Sequence, residues 1–194
     1  MIKVGLTNNF WNAIHLFALL IGLLASYSVT AGEIIDARRV IAVDKNTANY
    51  CRKSETVIFS CEASTKLLSL CASKDLSQPE SYLKFRISKA KLVKEYPPRY
   101  SRPNEYFKFF ESTFAKGGTE AVSFWEGYKR YSLFSTTSVY GYNGAGLIVN
   151  ENNKQILFLK CNKSSVFNEL SKFLPAAELE DAGSDIDYVP ADSE

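Results

Sequence analysis

The chain is 194 residues long, 46% hydrophobic, 23% charged and 13% aromatic, with four cysteines and a formal net charge of +2. That is enough for one ordinary domain with tails, and it excludes collagen-like, low-complexity and wholly disordered chains. The single histidine, His15, lies in an apolar N-terminal stretch; the rest of the chain therefore lacks Ser-His-Asp and Cys-His catalysis and histidine-bearing zinc sites.

Met1 to Asn12 carries one charged side chain, Lys3, and Ala13 to Ala25 follows as an apolar run thirteen residues long that includes His15. A membrane span needs about 20 residues. A lysine-bearing start, a short apolar core and small residues beyond it predict a secretory signal peptide over 1–31. Val29 and Ala31 then precede a cut before Gly32. The competing reading is an uncleaved anchor extended through Tyr27 and Val29. With the signal removed, no stable membrane anchor is expected, and no cysteine follows the apolar run to carry a lipid.

Residues 32–50 read as a lead-in, in which Ile34-Ile35 and Val40 to Val43 offer an edge strand. Residues 51–174 read as a disulfide-bonded β-domain. Val57, Phe59 and Cys61 alternate with Ile58, Ser60 and Glu62 over Glu55 to Ala63, which predicts a strand. Ala63 to Lys66 turns the chain, and Leu67 to Ala72 returns. Tyr82 to Ser88 alternates Leu83, Phe85 and Ile87 against Tyr82, Lys84 and Arg86. Phe107 to Ala115 and Thr119 to Glu126 form the next pair, separated by Gly117-Gly118. Tyr128 to Tyr140 follows the turn signal Glu126-Gly127. Leu147 to Val149 and Gln155 to Cys161 form a hairpin around Asn150 to Asn153. Val166, Phe167, Leu170, Phe173 and Leu174 recur at helical spacing after Ser164 or Ser165, so one short C-terminal helix is expected, stopped by Pro175. The class is mainly β: an antiparallel meander closed as a small barrel or a sandwich.

Residues 175–194 read as an acidic disordered tail. From Glu178 onward there are seven acidic side chains and no basic one, whereas residues 32–174 hold 22 Lys plus Arg against 14 Asp plus Glu, a balance of +8. A basic exported domain attracts anionic polymers or an acidic protein partner, although surface lysines also serve solubility alone.

Export changes the reading of Cys51, Cys61, Cys71 and Cys161. In an oxidising compartment four cysteines predict two disulfides, and the nine-residue gaps lack the tight spacing of zinc knuckles. With a two-residue turn at Ser64-Thr65, Cys61 faces Leu68 and Cys71 faces Ile58, so the two cysteines point to opposite sides of the hairpin. Cys71 ends near the entry of Cys51, which favours Cys51–Cys71 and Cys61–Cys161. A one-residue slip of register reverses the parity.

The segments Thr56 to Cys61, Leu68 to Ser77 and Tyr82 to Arg86 resemble a group of small exported proteobacterial β-proteins. Those carry a Phe-Ser-Cys strand, a Cys-Ala-Ser-Lys-Asp-Leu-Ser segment and a Leu-x-Tyr-Arg strand, and end in a hairpin closing on a cysteine, as Leu157 to Cys161 does here. The resemblance covers Cys51 to Cys161 and leaves out the 97–117 region and the acidic tail. It implies an exported β-protein and assigns no chemistry.

Few residue groups suggest catalysis. Ser73 and Lys74, neighbours on an extended segment, point apart and cannot act as nucleophile and base; a turn with local Ser73 and Asp75 bonds is expected. Ser88 to Lys91 matches Ser-x-x-Lys, and Lys116 to Thr119 faintly suggests Lys-Thr-Gly, without the third element those enzymes need. Gly141 to Gly146 sits between strands and not before a helix, so a wide turn or bulged strand entry is expected and not a phosphate loop. Glu111, Glu120 and Glu126 are the candidate carboxylates for glycan hydrolysis. Tyr96 to Tyr142 holds fourteen aromatic residues interleaved with Arg and Lys. Phe107, Phe109, Phe124 and Phe134 are expected in the core, and Tyr100, Tyr106, Trp125, Tyr128 and Arg130 at a binding surface.

These features point to a periplasmic, or alternatively secreted, non-enzymatic β-domain that binds a protein partner. The best-fitting role is an inhibitor or immunity protein against an envelope-targeting toxin or effector enzyme. No cofactor, metal or nucleic acid is expected. The alternatives are a carboxylate-dependent envelope glycan hydrolase and a structural or surface accessory protein.

Overall fold

A computed structural model of the chain describes residues 35–36, 48–89, 92–139 and 143–183. The expected signal peptide, the Val40 to Val43 segment and the chain beyond Gly183 lie outside the described residues. In chain order the strands are β1 (Ile35–Asp36), β2 (Thr56–Ala63), β3 (Lys66–Ala72), β4 (Leu83–Lys89), β5 (Leu92–Tyr96), β6 (Lys108–Phe114), β7 (Gly117–Glu126), β8 (Lys129–Ser138), β9 (Gly144–Glu151), β10 (Lys154–Lys160), β11 (Phe167–Asn168) and β12 (Glu180–Asp181). They form two six-stranded sheets, ordered β1-β5-β4-β3-β2-β11 and β10-β9-β8-β7-β6-β12. The first is antiparallel throughout; in the second, β12 runs parallel to β6.

The arrangement is a sandwich and not a closed barrel. After β5 the chain passes Pro97, Pro98 and Pro103, which have no amide to donate, so the meander leaves the first sheet and restarts in the second. Alternate residues of both sheets meet in one core. Phe59, Leu68, Leu70 and Phe85 come from the first sheet, and Val122, Phe124, Leu133 and Leu147 from the second. A smaller cluster of Ala121, Phe134 and Ile148 lies on the other face of the second sheet. Phe134 thus belongs to that cluster and not to the core between the sheets.

Cys51 is bonded to Cys71 and Cys61 to Cys161, with Cα–Cα distances of 5.4 and 5.7 Å. This is the pairing that strand parity favours. Cys61 faces Leu68 as expected, but an irregularity between Val57 and Phe59 sets Cys71 opposite Val57 and not Ile58. The slip falls beyond Cys61, so the two cysteines still point apart.

Three expectations need correction. Gly117 and Gly118 are not the turn between β6 and β7 but the start of β7, facing Phe114 and Thr113. A Cβ on Gly117 would lie 2.0 Å from the carbonyl oxygen of Thr137 on β8, so the close approach of backbones demands glycine. The C-terminal helix is one turn, Leu170–Phe173, because Phe167 and Asn168 pair with Ser60 and Phe59 of β2 instead. The N-cap position is Glu169 and not Ser164 or Ser165, and the Asn168 side chain before it accepts from Leu170 N at 3.1 Å. Finally, residues 175–183 are not disordered: Leu174–Ala177 forms a 3₁₀ turn, Ala177 is buried, Leu179 packs on the core and β12 pairs with β6. Two apolar side chains and a free strand edge outweigh the acidic composition there.

Candidate functional site

A polar cavity lies at one end of the second sheet. The loop leading to it is fixed by Lys84, whose Nζ donates to the carbonyls of Pro97 and Arg99 at 2.7 and 2.9 Å. A one-turn helix, Pro103–Tyr106, follows: proline suits its first position, and the Glu105 carboxylate accepts from Arg102 N at 3.2 Å. That turn lays the Tyr106 ring on Phe124, centroids 5.4 Å apart, and its hydroxyl donates to Glu126 at 3.3 Å. Beside it opens a cavity of about 610 Å³ lined by Arg102, Asn104, Tyr106, Lys108, Trp125 and Glu180 among others.

Trp125 is 43% exposed. It shares a face of the sheet with Lys108, whose ammonium lies 5.9 Å from the indole centroid, and with Arg130, its cross-strand partner on β8. Tyr128 stands 85% exposed at the turn between β7 and β8, where Gly127 has a φ of +60°. The structure thus gathers Tyr106, Trp125, Tyr128 and Arg130 at one end, with Tyr106 also part of the aromatic core. Tyr100 is set apart: its hydroxyl donates to the Pro79 carbonyl at 3.1 Å. Burial, then the Glu126 carboxylate, pushes the Tyr106 phenol well above its ordinary pKa; burial also raises those of Tyr96 and Tyr131.

The carboxylates are differently placed. Glu111 and Glu120 sit directly opposite each other on β6 and β7, and Asn168 donates to Glu120 at 3.0 Å. Neither lines this cavity or a second one of about 370 Å³ between the Leu76–Ser81 loop and Ala176–Glu178. The other motifs are local structure. Ser73 Oγ accepts from Tyr82 N and donates to the Asp75 carbonyl. Hydrogen bonds from Ser77 and Gln78 hold the Asp75 carboxyl below its ordinary pKa. Ser88 Oγ accepts from Leu67 N, and Gly144 to Gly146 opens β9.

A second polar constellation escapes the strand pattern. Arg86 is 1% exposed, and its guanidinium donates to both oxygens of Glu55 at 2.6 and 2.8 Å and to Glu95 at 2.6 Å. Lys84 pairs with Glu95 at 3.4 Å. Alternation assigns Lys84 and Arg86 to the face away from the core, but residues 48–55 cover that face, held by the Cys51–Cys71 bond and by Tyr50 N donating to Ser69 Oγ. The disulfide pairing was the available signal for this burial. Cys51, Glu55 and Cys71 lie close together as potential metal donors, but both sulfurs are committed to the disulfide.

The two disulfides fit an oxidising compartment. Among the described residues no helix is long and apolar enough to cross a membrane. Comparison of the chain with protein-family models, with curated proteins and with solved structures finds no match.

Proposed function

We propose that the chain is an exported, periplasmic binding protein, an inhibitor or immunity protein that blocks an envelope-targeting enzyme and is not itself an enzyme. The observation that carries this reading is Trp125 on β7, flanked by Lys108 on β6 and Arg130 on β8, with exposed Tyr128 and the cavity beside it. Aromatic and arginine anchors on a preformed surface are what protein interfaces use for affinity. The resemblance to small exported proteobacterial β-proteins supports the compartment.

The test is capture of the partner from envelope extract with the tagged full-length chain, followed by titration. Trp125→Ala and Arg130→Ala should each weaken binding by about 2 kcal/mol with the fold intact by circular dichroism. Glu111→Gln, Glu120→Gln and Glu126→Gln should matter little, since binding needs no proton transfer. Undiminished binding by both anchor variants would refute this reading.

The opposed pair Glu111 and Glu120 gives one alternative, a carboxylate-dependent glycan hydrolase, since glycosidases work through two neighbouring carboxylates. Release of reducing sugar from cell-wall glycan, abolished by Glu111→Gln or Glu120→Gln, would favour it over the binder.

A further inference from the structure

We propose that the outer edge of β6 is the seat for an extended acidic segment of the partner, and that the chain's own Glu180–Asp181 occupies that seat in its absence. This rests on the binding reading above and names the chemistry of the partner.

In the second sheet β6 is covered on its outer side by the two-residue β12 alone: among the described residues only Lys108 and Phe109 have strand partners there, Glu180 and Asp181. Ala182 N donates to the Phe109 carbonyl at 2.9 Å, so the backbone of Phe109 faces the edge. By the alternation of an extended strand, the backbones of Glu111 and Thr113 face the same way. Among the described residues no strand pairs with them. Such an edge is a template for an added strand.

The charges specify what is added. Lys108 Nζ pairs with Glu180 at 3.3 Å, and Arg102 and Lys108 line the adjoining cavity with Trp125, while the cavity's own carboxylate, Glu105, is engaged locally by Arg102 N and Ser101 Oγ. The segment already seated is drawn from a stretch with seven acidic and no basic side chains, on a body of +8. The seat therefore takes acid. Its present occupant is weakly held: the ladder is two residues long and parallel, and the ion pair is exposed, with 41% and 71% of the two side chains accessible. Parallel pairing is the less stable kind, and exposed ion pairs contribute little. An acidic strand running antiparallel along β6 would keep the contact with Lys108 and add bonds at Glu111 and Thr113.

The experiment titrates the full-length chain with a fluorescent synthetic peptide of residues 178–194, against a control peptide with every Asp and Glu replaced by Asn or Gln. Hydrogen exchange follows the β6 amides. The acidic peptide should bind, the control should not, and protection should rise at Glu111 and Thr113. The double variant Glu180→Gln/Ala182→Pro removes both the ion pair and the Ala182 N–H bond to Phe109, so it empties the seat and should bind the acidic peptide about tenfold more tightly, as expected where nine-tenths of the sites are self-occupied. Lys108→Gln, folded by circular dichroism, should lose most of the affinity. Equal binding of the two peptides, no gain in the double variant, or protection elsewhere would overturn the proposal. If the peptide fails while Trp125→Ala still abolishes capture of the partner, the edge assignment falls and the binding reading stands. If the peptide binds β6 and Trp125→Ala leaves capture unchanged, the reverse holds.

Discussion

Arg86 is the largest fully buried side chain among the described residues, and it is a cation. Burial pulls its pKa down, but the bonds to Glu55 and Glu95 more than offset this and hold it above the ordinary value. The pair is satisfied, so its worth lies in what its loss would leave behind. Glu55→Ala removes two of the hydrogen bonds and leaves Arg86 and Lys84 sharing Glu95 alone, one buried charge uncompensated, which should cost about 3–5 kcal/mol in urea unfolding. A cost below about 1 kcal/mol would mean that water reaches the guanidinium and the site is not sealed. Tyr106 supplies the pH dependence. Its phenol keeps its proton to higher pH in the folded chain than in the unfolded one, where phenols titrate near pH 10. Between those two values the folded state binds more protons, so stability falls as pH rises past about 10 and is unaffected by this group below it. Tyr96 and Tyr131 act in the same direction. Thermal melts from about pH 8 to 11 should therefore show a decline that Tyr106→Phe makes shallower. An unchanged slope in the variant would assign the decline to other groups.

At the scale of elements, the apolar alternation carries most of the fold. β2, β3, β4 and β6 to β10 all lie within a residue or a few of where period two puts them: β2 to β4 and β7 to β9 have a buried face that a slip would expose, and β6 and β10, which bury no residue fully, are set by their hairpins with β7 and β9. What the pattern leaves unread has no such face or is made by distant partners. Leu92–Tyr96 is short and carries Lys94 and Glu95, and Glu95 is buried only through Arg86. Phe167–Asn168 and Glu180–Asp181 are strands only because β2 and β6 offer them an edge. The candidate site was half legible. Trp125, Tyr128 and Arg130 stand out as residue types, but Asn104, Lys108 and Glu180 join them only through the Pro103–Tyr106 turn and the docked β12. The ordered stretch 175–183 gives a direct measurement. A chain ending after Leu174 loses the packing of Ala177 and Leu179, on the order of 1–2 kcal/mol. For a domain of this size that is a drop of roughly 2–8 °C in melting temperature relative to a chain ending after Gly183. Equal melting temperatures would show that this stretch adds nothing to the fold.

For the whole molecule, the two disulfides divide the work of holding it together, and they should fail differently. Cys61–Cys161 joins β2 of the first sheet to the end of β10 in the second, across 100 residues of chain, and Asn162 N donates to the Glu62 carbonyl beside it at 2.7 Å. Cys51–Cys71 spans 20 residues within the first sheet and pins the 48–55 segment over Arg86. In the chain-entropy account the longer loop is worth about 4.7 kcal/mol and the shorter about 3. The larger difference is in what each opening exposes. Without Cys61–Cys161 the sheets keep their own ladders but lose the covalent tie at that end, so exchange should quicken throughout both sheets as global stability falls. Without Cys51–Cys71 the cover can lift by itself. Amides of residues 49–55 should then exchange faster while β7, β8 and β9 keep their protection, and Arg86, newly wet, should lose the benefit of Glu55. Hydrogen exchange on the Cys51→Ala/Cys71→Ala and Cys61→Ala/Cys161→Ala chains separates the two cases. Uniform acceleration in the first variant would mean that the cover and the sandwich unfold as one unit, and that the charged network beneath it is part of the global core.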